Sequence, residues 1–193
     1  MKIVTHETDP NELAEYSHLM EYQVKPGDLP SEHENFRVRE IFPVGNLLCG
    51  DLIINEEFTE KMELHPFPEW VTHLLRLDTK LPQVAGYSAI IAMSKKDHRK
   101  LSKLDWRLKI KQARDIVKNC TMEDIVLFRL VPGACAKING NVIHYAIADK
   151  KPDTSSYPYW QVFEPSIDWN QFKPFGKFDN TGYFTLPFKL EVP

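Results

Sequence analysis

Between residues 41 and 164 the chain is a string of short apolar runs cut apart by Pro, Gly, Asn and Asp. The runs fall at 46–55, 58–65, 69–77, 84–93, 124–131, 134–138, 142–148 and 158–164. Short segments closed off by turn formers are poor helices and good antiparallel strands, so the spacing predicts an all-β sandwich or barrel. One stretch interrupts this pattern. Residues 96–119, KDHRKLSKLDWRLKIKQARDIVKN, hold many helix formers and no Pro or Gly. Leu101, Leu104, Leu108, Ala113, Ile116 and Val117 form a broken helical stripe, which predicts one or two helices inserted between two strands. Their basic residues must stay solvated, so the insertion belongs on the outside of the β-structure.

The flanks read differently. Residues 9–22 predict a helix, with Asp9 as N-cap, Pro10 at the first position, and Leu13, Tyr16 and Met20 at helical spacing. Residues 25–30 are a turn-rich stop, and 31–40 a polar arm or edge segment. The tail, 165–193, repeats Pro and Phe: Pro165, Phe172, Pro174, Phe175, Phe178, Phe184, Pro187 and Phe188. Such a segment wraps a sheet face through its aromatics, or meets a second subunit in a homodimer. No Gly/Ser-rich linker divides the chain, so residues 1–193 read as a single domain.

Composition narrows the partners. Lys and Arg number 24 against 27 Asp and Glu, a net charge of −3, which disfavours bulk binding to nucleic acid or anionic membrane. The Lys-rich segment 95–118 reads as a solvated face, or, more sharply, as a surface for nucleic acid or a protein partner. The start, Met1 to Glu7, has no apolar stretch of a signal peptide, and the best apolar run, 87–93, is far shorter than the roughly 20 residues of a membrane span. Cys49, Cys120 and Cys135 are odd in number and form no CxxC pair, which favours reduced, buried thiols in a cytoplasmic protein. Dinucleotide, phosphate-loop, serine-hydrolase and HExxH motifs are absent. A Cys135–His144 nucleophile would need an orienting group that the sequence does not offer.

Chemistry concentrates in Met62-Glu-Leu-His-Pro-Phe-Pro-Glu-Trp70. Glu63 and His65 are two apart and share one face of a strand. A turn at Pro66–Pro68 returns Glu69 beside His65. Two carboxylates and an imidazole can hold a divalent transition metal. A further imidazole is His144, which follows turn signals at Pro132-Gly133 and Asn139-Gly140. If Ile143, Tyr145 and Ile147 face one side of its strand, Val142, His144 and Ala146 face the other. His73 shares parity with Glu69 and reads as a partly buried histidine with a hydrogen-bond partner. Lys137 and Arg76 lie near the two motifs, and either can bind a substrate carboxylate. Tyr87 and Tyr145 read as packing residues.

The segment Glu63-x-His65-x-x-x-Glu69, followed by Pro132-Gly133 and the strand residue His144, resembles the two-part cupin signature, with Glu63 where many cupins carry their first His. Glu63 to Pro66 (Glu-x-His-Pro) and Asn141 to His144 (Asn-Val-Ile-His) resemble the ureidoglycolate lyase family. The fuller pattern, through His144-Tyr-Ala146, is similar to uncharacterised cupins. The resemblance covers residues 41–164, and the 79 residues from His65 to His144 exceed the usual cupin spacer by about the helical insertion. It implies a double-stranded β-helix, or jelly roll, with an N-terminal helix. It also implies a divalent metal (zinc, manganese, iron or nickel) on His65 and His144 with Glu63 or Glu69. The function implied is a lyase or isomerase acting on a small hydroxy acid, ureido acid or sugar derivative, with Glu63, Glu69 and Lys137 as candidate catalytic residues. The alternative is a non-catalytic cupin that binds a small molecule and contacts a partner through 95–118.

Overall fold

A computed structural model describes residues 1–5, 7–24, 42–44, 47–52, 58–65, 68–75, 86–130, 134–148, 159–165 and 182–192. The predicted turns at 25–30, Pro66-Phe67 and Pro132-Gly133, the arm at 31–40, Arg76, and tail residues 166–181 lie outside them, as do the side chains of Cys49, Glu69 and Cys135. The elements run β1 (Lys2–Val4), α1 (Pro10–Ala14), β2 (Met20–Val24), β3 (Phe42–Val44), β4 (Leu47–Leu52), β5 (Phe58–Leu64), β6 (Pro68–Leu75), β7 (Gly86–Ile91), α2 (Lys95–Ser102), α3 (Trp106–Lys118), β8 (Ile125–Leu130), β9 (Ala134–Asn139), β10 (His144–Ala148), β11 (Tyr159–Pro165) and β12 (Gly182–Glu191). A single 3-10 turn, Met122–Asp124, precedes β8.

Among the described residues, twelve strands make two six-stranded sheets. The first has the order β1-β8-β7-β10-β5-β12, the second β2-β9-β6-β11-β4-β3. Every pairing is antiparallel except β1 with β8. The pairings nest: β7 with β8, β6 with β9, β5 with β10, and β4 with β11. The chain from β4 to β11 is thus one long hairpin, with α2 and α3 between its innermost strands.

Strand alternation gives the first sheet two apolar faces. Ile90, Val126, Phe128, Leu130 and Ala146 pack towards the second sheet, against Met20, Ala136 and Ile138. Tyr87, Ala89, Ile91, Leu127, Ile147, Met62, Leu64, Phe184 and Leu190 pack on the other side, against Ala113 and Val117 of α3. Coverage on both faces is why all six residues of β7 are buried. The helical insertion forms as two helices because Asp105 caps the second, accepting from Leu108 N at 3.0 Å, while Ser94 caps the first, accepting from Asp97 N at 3.1 Å. Polar contacts tie this pair to the β9–β10 connection: Lys109 donates to Asn141, and His98 Nε2 donates to Asn139 Oδ1 at 3.2 Å.

Two sequence expectations need correction. The N-terminal helix ends at Ala14, with Glu15 as its C-cap, rather than at 22. Residues 20–24 leave it as β2, pairing Met20–Val24 with β9, and Tyr22 packs its ring on Phe128 at 5.5 Å. Sheet pairing there overrides a helical spacing that local sequence alone supports. The end of the tail is a strand: β12 pairs with β5 and alternates Phe184, Leu186 and Leu190 inward. Pro187 is tolerated because β12 is an edge strand and its register shifts between Thr185 and Leu190. The pattern of apolar runs carries no signal for β1 and β3, each only three residues long. Among the described residues no helix is long and apolar enough to cross a membrane. Cys120 is buried and free, and desolvation, with Asp124 nearby, pushes its thiol up to about 11, as expected of an inert core thiol.

Two outcomes follow from this packing. Phe128→Ala, at 1% exposure between the sheets, should cost about 3–5 kcal/mol in urea unfolding, while Leu108→Ala, at 49% exposure, should stay within about 0.5 kcal/mol. The second concerns pH. Burial, helped by His18 and Lys109, holds His98 below its ordinary 6.5 against the bond from Asn139. The unfolded chain therefore binds a proton at His98 that the folded chain refuses, so this residue's contribution is present above pH 6.5 and is lost as pH falls below it. Urea midpoints should drop less between pH 8 and 5.5 in His98→Gln than in the parent protein.

Candidate metal centre

The centre is set by register. In the first sheet His144 stands opposite Ile90 of β7 on one side and Glu63 of β5 on the other. Met62 and Leu64 take the helix-facing side of β5, so Glu63 and His65 take the side facing the second sheet. On β10, Tyr145 and Ile147 likewise pack on the helix side while Ala146 packs between the sheets, which turns His144 inward as the parity argument expects.

The resulting cluster is tight. One ligand atom each from Glu63, His65 and His144 lies within 4.8 Å of the others. Glu63 Oε1 is 3.4 Å from His65 Nε2 and 3.6 Å from His144 Nε2. The rings of His65 and His144 are 5.1 Å apart. His144 is fully buried and His65 is 4% exposed, so the cluster is nearly closed to water.

Protonation follows from the hydrogen bonds. His144 Nδ1 lies 2.8 Å from the Val142 carbonyl oxygen, which can only accept, so Nδ1 carries the proton. Its Nε2 then presents a lone pair, and that buried atom has no hydrogen-bond partner among the described residues. Burial and the neighbouring His65 push His144 down to about 4, against the pull of Glu63, so the ring is neutral near pH 7. Burial works to raise Glu63, but the imidazoles of His65, His144 and His73 outweigh it and hold the carboxyl down to about 2. A neutral nitrogen lone pair thus faces a carboxylate oxygen in a mostly buried site, an arrangement that can take a cation between the two. Ligands about 2.1 Å from a tetrahedral ion are about 3.4 Å from one another, which is the spacing of both contacts to Glu63. A metal-binding histidine that donates its other N–H to a backbone carbonyl is also the usual arrangement.

His73 reaches the same space from β6 of the opposite sheet. It is fully buried, its Nδ1 is 2.9 Å from Ser88 Oγ, and its ring is 5.1 Å from that of His144. Burial, reinforced by the neighbouring His144, drives its pKa well below the ordinary value. The sequence offers the parity of His73 and its expected hydrogen-bond partner, but not its closeness to His144, which depends on how the sheets face.

Lys137 is not brought to the centre. Ala136 and Ile138 point between the sheets, so Lys137 points outward, with its ammonium 5.1 Å from the Trp70 ring centroid. Glu69 belongs to β6, and nothing is described of its side chain. Tyr87 lies on the helix-facing side and takes a hydrogen bond from Arg129.

Ser88→Ala should leave the buried His73 nitrogen without that partner and cost about 1–3 kcal/mol in chemical denaturation, without altering the fold by circular dichroism. No protein-family model matches the chain, and no curated protein matches it, so the chemistry of the centre is read from its geometry.

Proposed function

We propose that the chain is a cupin-type jelly roll whose interior holds a divalent metal for lyase or isomerase chemistry on a small hydroxy acid, ureido acid or sugar derivative. The nested pairing from β4–β11 to β7–β8 supports the jelly roll, since that fold is a long antiparallel hairpin wrapped into two sheets. One observation carries the metal reading: the buried Nε2 of His144, without a hydrogen-bond partner among the described residues and facing the Glu63 carboxylate beside His65. The donor set of two imidazoles and a carboxylate suits zinc, manganese, iron or nickel.

When bound, such an ion supplies Lewis-acid polarisation of a carbonyl or hydroxyl oxygen. Glu63, His65 and His144 would hold it, and the Val142 carbonyl keeps the His144 ring in the tautomer that leaves Nε2 open. The closely packed interior keeps bulk water from the reacting oxygen. Proton transfer falls to a carboxylate that does not bind the ion, with Glu69 the candidate from the motif. The second reading, a non-catalytic binding cupin, draws on a separate observation: Lys95, Lys96, Arg99, Lys100, Arg107, Lys111, Arg114 and Lys118 of α2 and α3, with Lys103 at the C-cap of α2, are all exposed.

Protein stripped with chelator and dialysed against zinc should retain about one equivalent per chain by elemental analysis. The His65→Ala/His144→Ala double variant should retain none while remaining folded. Equal retention by both proteins would end the metal reading. A metal-loaded protein that turns over no hydroxy-acid, ureido-acid or sugar substrate would favour the binding module.

A further inference from the structure

Four residues stand in register across adjacent strands of the first sheet: Ile90 on β7, His144 on β10, Glu63 on β5 and Tyr183 on β12. Directly opposed residues share a sheet face, so all four side chains point to the side that carries the centre. Gly182 and Phe184 confirm the direction, because both address α3 on the other side. Exposure rises along the row. Ile90 and His144 are fully buried, the Glu63 side chain is 13% exposed, and Tyr183 is 63% exposed. Among the described residues β12 is the last strand of its sheet, so the row runs from a closed core to the described edge of that sheet. At the closed end, His73 and Ser88 fill the space beside His144.

We propose that Tyr183 is the substrate-contacting residue at the mouth of this centre, and that the ligand it meets is a small molecule with two neighbouring oxygens, such as a hydroxy- or oxo-carboxylate. One oxygen goes to the metal that Glu63, His65 and His144 would hold, and the other accepts a hydrogen bond from the phenol. This rests on the metal reading above. The chemistry of the row selects the ligand: beside Glu63 the row offers a neutral O–H donor and no cation, which suits an oxygen acceptor whose charge is met by the ion. A large aromatic side chain exposed at a site mouth is also a ready contact surface.

The test uses full-length protein loaded with cobalt(II), with oxalate as the probe, followed through the visible cobalt bands. The parent protein should bind cobalt and then oxalate. Tyr183→Phe, which keeps the ring and lies at an exposed edge, should bind cobalt as before and oxalate about ten-fold more weakly, the loss of one hydrogen bond to a charged acceptor. Tyr183→Ala should show at least the same loss. Unchanged oxalate affinity in Tyr183→Phe would overturn the role of Tyr183 and leave the metal reading standing, as would a cobalt-loaded parent that ignores oxalate. A parent protein that takes up no cobalt would overturn both.

Discussion

The candidate centre is brought together by the register of β10, held between β7 and β5. Five paired positions fix it against β7, from His144↔Ile90 to Ala148↔Gly86, and His144↔Glu63 fixes it against β5. A slip of one residue would turn His144 onto α3 and bring Tyr145 between the sheets. Burial prevents this. Ile147 and Ile143 belong to the helix-facing core and Ala146 and Val142 to the core between the sheets, so both faces of β10 resist exchange. The asymmetry of size, small residues inward and large ones towards the helix, leaves room beside His144 for His65 and His73.

A polar cluster in such a place is a thermodynamic burden. Two histidines at zero exposure, a carboxylate beside them and a buried serine give up water that an apolar replacement would not need. Part of the cost is offset by local bonds, Ser88 to His73 and the Val142 carbonyl to His144. What these bonds leave open at His144 is a single nitrogen, facing a carboxylate. A stability-driven sequence would fill that gap with an aliphatic side chain, and the imidazole there points to a ligand.

Much of this architecture is legible in the residues alone. Short apolar runs between turn signals mark most of the long strands, the Pro- and Gly-free stretch marks α2 and α3, and parity puts Glu63 and His65 on one face and His144 inward. The failures share a cause. β2 begins at Met20, which also falls at helical spacing from Leu13 and Tyr16, and only the partner strand β9 decides between helix and strand there. β12 hides behind Pro187, which punctuates a sequence but not an edge strand with a register shift. Lys137 lies close to the motif in sequence, yet one step of strand parity puts it outside. The closeness of His73 to His144 has no local signal, because it is a property of two sheets meeting.

Gly182 gives α3 a part in the centre that its distance from the chemistry would not suggest. A Cβ at this position would overlap Cδ1 of Ile110 and lie 3.0 Å from Cζ of Phe184, so a side chain there would make the tips of these two residues give way. Tyr183 is the next residue along the same backbone. Ile110 of the helix therefore packs its side-chain tip on the backbone of the sheet edge next to Tyr183. A bulkier residue on either side has to be met by a shift of these side-chain tips or of the edge itself, and the edge carries Tyr183 while the candidate metal ligands lie on other strands. That offers a lineage a way to change what enters without rebuilding what reacts.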